Sequence, residues 1–239
     1  MAVTVGARWG IAVDAVLAGA ACGLLSAVDE PSGGPALGRS TLVHDIRGGW
    51  SAFHSYGWIS PVVTAFLILN AVRAGVWSVI GMLTVQQSHG AAGWGIAMSS
   101  NGLGIVLGSI VVFRTQVRHL LCVGQAAAIV GAVPLVLVGL EPSLGLFSAG
   151  ALLGGIGLGV FAVAWETCLG HHVRNSELSR VASYDTLGSL VAVPLGQLAV
   201  VPLAAVASHS LVAYVAGGLY VVVCSAPLAS RHVRMLRQS

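Results

Sequence analysis

The sequence contains no lysine, and charge of either sign is scarce: eleven arginines stand against eight acidic residues in 239. Charged residues make up 8% of the chain, where a soluble domain carries roughly 25%. So little charge cannot build a water-exposed surface, and lipid must cover much of the exterior. The missing lysine excludes a retinal Schiff base. No CxxC pair occurs among Cys22, Cys122, Cys168 and Cys224, so neither a zinc site nor a redox dithiol is implied. Each lies in or beside an apolar run, where thiols are ordinarily buried and inert. No HExxH occurs, and every histidine lies in a connection or near a membrane interface. An intramembrane serine protease therefore lacks the His it needs on a helix beside its nucleophile. His171-His172 has no third ligand at useful spacing. No enzyme activity, cofactor, metal or nucleic-acid partner is expected.

What the chain does contain is apolar length. Hydrophobic residues make up 56%, with a mean hydropathy of +0.89. A spanning helix needs about 20 mostly apolar residues, and runs of that kind lie near 9–28, 59–84, 92–113, 119–140, 144–168, 186–207 and 210–230. Barrel strands would alternate over segments of about ten residues, and these runs do not. The sequence predicts an all-α polytopic transmembrane bundle of six or seven spans. Arg8 before the first run imitates a signal peptide, but Asp14 inside the run argues against one.

Four regions follow. Residues 1–28 hold the first span, 59–230 a six-helix bundle and 231–239 a tail. Residues 29–58 form a linker that opens rich in Gly and Pro. Within it Val43, Ile46, Trp50 and Phe53 recur at helical spacing, with Asp45, Arg47 and His54 off the stripe. That pattern reads as an amphipathic helix lying on the membrane, with Trp50, Tyr56 and Trp58 at headgroup depth. A mobile linker is the alternative, because Gly48 and Gly49 weaken any helix.

Orientation follows from arginine. Alternate threading places Arg39, Arg47, Arg114, Arg118, Arg174, Arg180, Arg231, Arg234 and Arg237 on one side. The other side receives Arg8 alone, and its turns at 86–91, 141–143 and 208–210 have none. The positive-inside rule makes the arginine side, and the C-terminus, cytoplasmic. Seven spans then put Met1 outside, an arrangement expected of a fragment of a larger protein.

Four stretches resemble a known family. Val13-Asp14-Ala15 lies inside the first span, and Asp45-Ile46-Arg47-Gly48-Gly49-Trp50 shortly precedes the second. Trp165-Glu166-Thr167 closes one span. Ser179-Arg180-Val181-Ala182-Ser183-Tyr184-Asp185, with Leu187-Gly188-Ser189 and Pro194-Leu195-Gly196, leads into the next. At these positions the chain resembles helices six to twelve of a major facilitator superfamily transporter, in the efflux branch that includes bacterial siderophore and drug exporters. The last two stretches, at their mutual spacing, carry the specificity. The loop at Arg114–Arg118 departs from the superfamily pattern, keeping arginines without an acidic partner, so its usual gating latch is not expected there. The resemblance implies a portion of a proton-coupled exporter of small organic molecules in the cytoplasmic membrane. Its partners would be lipid, a small-molecule substrate, and a missing N-terminal half or a second copy. A truncated, non-transporting remnant or membrane assembly subunit is the alternative.

Within that frame a few polar residues stand out. Arg73 lies near the middle of its span, where a charge costs several kcal/mol unless it faces protein or water. Asn70 and Trp77 share its face at helical spacing, and the resemblance points that face at the substrate cavity. Substrate contact, an intramembrane ion pair and a structural arginine that snorkels remain open. Glu166, Arg180 and Asp185 sit where two spans end and connect. Under the resemblance they form a cytoplasmic gate that locks and releases during rocking; an ordinary solvated ion pair is the bland reading. Gly104-x3-Gly108, Gly150-x3-Gly154 and Gly155-x3-Gly159 have the small-residue spacing that lets helix backbones approach closely. Pro134, Pro194 and Pro202 are expected to kink their spans.

Overall fold

A computed structural model describes residues 12, 15, 16, 18–24, 55–115, 117 and 119–234, with the backbone alone at 175, 176, 180, 232 and 234. The chain divides into two units, Met1–Leu42 and Val43–Ser239. In the first, the described residues between 12 and 24 are helical, and Cys22 is exposed rather than buried as expected. The rest of the 9–28 run, Asp14 included, lies outside the described residues. So do the amphipathic stretch at 43–54 and the 235–239 tail.

The second unit is helical throughout its regular structure, with no strand among the described residues. Helix α1 (Ile59–Gly75) carries Pro61 in its first turn, where a missing N–H breaks no helical bond. A π-helical turn, Val76–Gly81, joins it to α2 (Met82–Arg114). Helix α3 (Leu120–Ala128) passes through a 3-10 turn, Ile129–Gly131, into α4 (Ala132–Leu140). Pro134 explains that turn, since its nitrogen cannot bond the carbonyl four residues back and the backbone tightens locally. Glu141 adopts the left-handed conformation, φ 46°, that commonly ends a helix. Then follow α5 (Leu144–His172), α6 (Asn175–Val206), α7 (His209–Ala229) and a short α8 (Arg231–Arg234). The Ser208 hydroxyl caps α7 by accepting from Leu211 N at 3.2 Å.

Among the described residues, five helical stretches are long and apolar enough to cross a membrane. The first, Ile59–Arg114, has 56 residues and would reach about 84 Å if straight. A bilayer's hydrocarbon core is about 30 Å thick, so one crossing cannot hold it. Gly90 resolves this. Its φ of 71° and ψ of 178° break the helix inside α2, in a region of backbone space that is essentially glycine's alone. Six membrane-length segments result among the described residues, each containing most of one of the second to seventh expected runs. The exterior is oily: Leu187, Leu198, Phe113 and Val206 are 59%, 69%, 80% and 84% exposed, which only lipid can cover without cost. The protein is a multi-pass membrane bundle.

Consecutive segments alternate in direction, and contacts fix the two ends. At one end Trp58 packs edge-on against Trp165 and His172, and Cys122 Sγ lies 3.5 Å from Val233 O. Most of the arginines among the described residues belong to this end. At the other, Tyr214 donates to Gly139 O at 3.0 Å.

Two of the three expected small-residue spacings pack as a backbone seam, whereas Gly150 and Gly154 meet the side chains of Leu137 and Pro134 in α4. A Cβ on Gly104 or Gly108 would strike the carbonyl oxygen of Leu152 or Ile156, and one on Gly155 or Gly159 that of Asn101 or Ile105. Helices α2 and α5 therefore meet backbone to backbone. Gly196 of α6 abuts Ala71 of α1 in the same way. Expectation and structure differ after residue 168. The region 169–185 reads as a connection because it is charged, yet α5 continues to His172 and α6 already begins at Asn175. Glu177 in the first turn of α6 suits the positive end of a helix dipole. Charge there marks a helix start rather than a loop.

Candidate functional site

Arg73 is the only arginine among the described residues that sits far from both ends of its segment. It lies 14 residues after Ile59 and 17 before Gly90, about 21 Å and 25 Å along the axis. One nitrogen, Nη2, donates to Asn101 Oδ1 of α2 at 3.0 Å. Asn101 is 4% exposed, and its own Nδ2 donates to Ala151 O of α5 at 3.0 Å. The amide is thus pinned on one side and presents its oxygen to the guanidinium on the other. That relay runs through α1, α2 and α5, and the glycine seam makes it short: the α2 backbone touches Gly155 at the Asn101 carbonyl.

The three residues expected to share a face turn to three different neighbours. Asn70 Nδ2 donates to Ser189 Oγ of α6 at 3.1 Å. Arg73 reaches α2. Trp77, 2% exposed, is stacked on Phe147 at 5.3 Å and tilted against Trp94 at 5.2 Å. The indole N–H of Trp77 is buried and has no partner among the described residues. Asn70 and Arg73 stand about 60° apart on a regular helix, enough to face different neighbours. Trp77 departs because the π-helical turn begins at Val76 and the regular i, i+4 relation no longer holds there. Between α1 and α6 runs a groove of about 590 Å³, lined by Thr64, Leu67, Tyr184 and Gly188 among others. It is predominantly apolar, and Arg73 is not part of its wall.

The second predicted cluster is partly assembled. The Trp165 indole donates to Asp185 Oδ2 at 3.1 Å, joining α5 to α6. Glu166 is exposed beside them; it is near enough to Asp185 to act on its carboxylate. The Arg180 side chain lies outside the described residues. Sequence reasoning missed a neighbouring network: Tyr56 donates to Glu177 Oε2 at 2.8 Å, and Arg174 Nη2 donates to Glu177 Oε1 at 2.6 Å. Tyr56 first, then Glu177, raises the Arg174 pKa above its ordinary value. Asn101 and Ser189 were also missed. Each is an uncharged polar residue within or beside an apolar run, and only its distant partner reveals it.

Deeper in the bundle, Gln125 Nε2 donates to Cys224 O at 2.9 Å, tying α3 to α7. His172 Nδ1 lies 3.1 Å from Cys168 O. No group of three or more His, Cys, Asp or Glu side chains converges among the described residues. Compared with models of protein families, with curated proteins and with solved structures, the chain matches none.

Proposed function

We propose that this chain is a portion of a secondary active transporter, a proton-coupled exporter of small organic molecules, and that it works with a second half. In this reading it lies in the cytoplasmic membrane with its arginine end and C-terminus inside. Asn70, Arg73 and Trp77 belong to the substrate region, and Glu166, Arg180 and Asp185 to a cytoplasmic gate.

The observation that carries the reading is the Arg73–Asn101 pair. An ionised group at mid-membrane depth is expensive and is ordinarily found on a substrate or ion path. It also stands beside a break in helix geometry, and interrupted helices are where transporters build their sites. A second support is that the two stretches carrying the family resemblance meet through Trp165 and Asp185. The missing half follows from alternating access, in which one half rocks against the other around a shared cavity.

Reconstitution tests this directly. Vesicles holding the purified chain, with a pH-sensitive dye inside and an imposed pH gradient, are challenged with small organic compounds. Substrate-dependent proton movement is expected from an assembled dimer or a chain paired with a second half, and not from the monomer. Robust flux from the monomer defeats the half-transporter reading. No coupled flux in any assembly leaves a non-transporting membrane subunit.

A further inference from the structure

Arg73 has a positive charge and, among the described residues, no anion to match it. Guanidinium does not deprotonate in proteins, so burial cannot neutralise it. The acidic side chains among the described residues are Glu141, Glu166, Glu177 and Asp185. Glu141 lies in the connection between α4 and α5, Glu177 in the first turn of α6, and Glu166 and Asp185 beside Trp165. None makes an ion pair with Arg73. The ionisable side chain close enough to act on it is Tyr220 of α7, a phenol that is neutral at ordinary pH. Asn101 accepts from one nitrogen and brings no charge. The guanidinium is half-buried, and its remaining N–H groups form a planar fork suited to two oxygens.

We propose that Arg73 receives the carboxylate of an amphiphilic organic acid, with Asn101 holding the guanidinium in place. This makes such acids the substrate class, a statement that rests on the transporter reading, whereas the binding itself does not. Depth decides between anion sources. Lipid headgroups lie at the faces of a hydrocarbon core about 30 Å thick, whereas Arg73 is about 20 Å or more along its helix from either end. A lipid phosphate stays at the interface. A ligand that reaches Arg73 must carry its charge inward on an apolar body.

The purified chain in lipid nanodiscs is titrated with 4-butylbenzoate and with its neutral counterpart 4-butylbenzamide, following tryptophan fluorescence and the thermal midpoint. The acid is expected to bind tighter by about tenfold or more, the order of one charge-assisted pair. Arg73→Gln should erase that preference, and Arg73→Lys should retain part of it. Asn101→Asp sets a carboxylate against the guanidinium and should abolish the preference. It gives up the amide's donation to Ala151 O, so a lower thermal midpoint is expected of it. Arg73→Lys is the variant that shows a folded chain with part of the preference kept. Equal binding of acid and amide, binding of neither, or a preference that survives Asn101→Asp overturns the proposal. Acid binding without flux in any assembly overturns the transporter reading and leaves this one standing. Flux of neutral compounds that Asn101→Asp leaves unchanged does the reverse.

Discussion

Trp165 and Asp185 hold together two consecutive helices that otherwise barely touch: the indole of α5 donates to the carboxylate of α6 across 3.1 Å. Apart from this bond, α6 leans mainly on α1, through the Gly196 seam and the Asn70–Ser189 bond. Its arginine-end half therefore depends on a few polar links.

Trp165→Phe keeps the ring and removes the donor. The expected cost is about 1–3 kcal/mol, because a partly buried carboxylate loses its hydrogen bond. Asp185→Asn, whose amide oxygen can still accept, should cost less. Thermal unfolding in detergent ranks the two variants; the reverse order would mean that the charge of Asp185, not the bond it accepts, is what matters.

The glycine seam predicts opposite outcomes for similar changes. Gly155→Val drives a side chain into the Asn101 carbonyl and should cost several kcal/mol or prevent assembly. Gly102→Ala meets nothing within 4 Å and should be neutral or stabilising, by up to about 1 kcal/mol. Membrane abundance and thermal midpoints of the pair check this.

Gly90 is a backbone case. A Cβ there meets nothing within 4 Å, so crowding predicts no effect of Gly90→Ala. Its φ of 71° with ψ of 178° predicts a loss of about 1–3 kcal/mol instead. A wild-type midpoint for Gly90→Ala would show that the turn has other solutions.

Transport assays separate function from folding at Arg73. In cells carrying an active assembly, Arg73→Gln should abolish efflux at near-normal membrane abundance. Retained efflux would make Arg73 a structural arginine.

Orientation has its own measurement. Reporter fusions after Ser143 and Ser239 should report opposite sides, outside and inside respectively. The reverse pattern would remove both the positive-inside assignment and the helix numbering that the family resemblance implies.

Much of the bundle was legible in the sequence because lipid imposes a simple rule of length and apolarity. The runs at 119–140 and 210–230 fall within a residue or two of the helices at 120–140 and 209–229. Spacing of small residues also carried through, since Gly104 and Gly108 can serve only where another backbone arrives. The rule fails where polarity does not mean solvent. Ser179 to Asp185 read as a connection because they are polar, but a helix can run past the membrane face. Arg73 announced itself by its charge, whereas Asn101 did not. Its role depends on Arg73, 28 residues away, and on a carbonyl in a third helix. The departure of Trp77 from the face of Arg73 could not be read either, because nothing in Val76–Gly81 marks a π-helical turn.

That wide turn gives the chain a tolerance in length. A π-helical turn holds about one residue more than an α-helical one, and each residue of an α-helix advances by about 100°. Deleting Ser78 would let the helix close into regular geometry with both flanks keeping their facing, because the lost residue and the tightened turn cancel. Val85, 5% exposed, would still point inward. What such a deletion disturbs is the turn itself, where Trp77 stacks on Phe147. A codon lost there re-aims one aromatic cluster and leaves the rest of the helix in register.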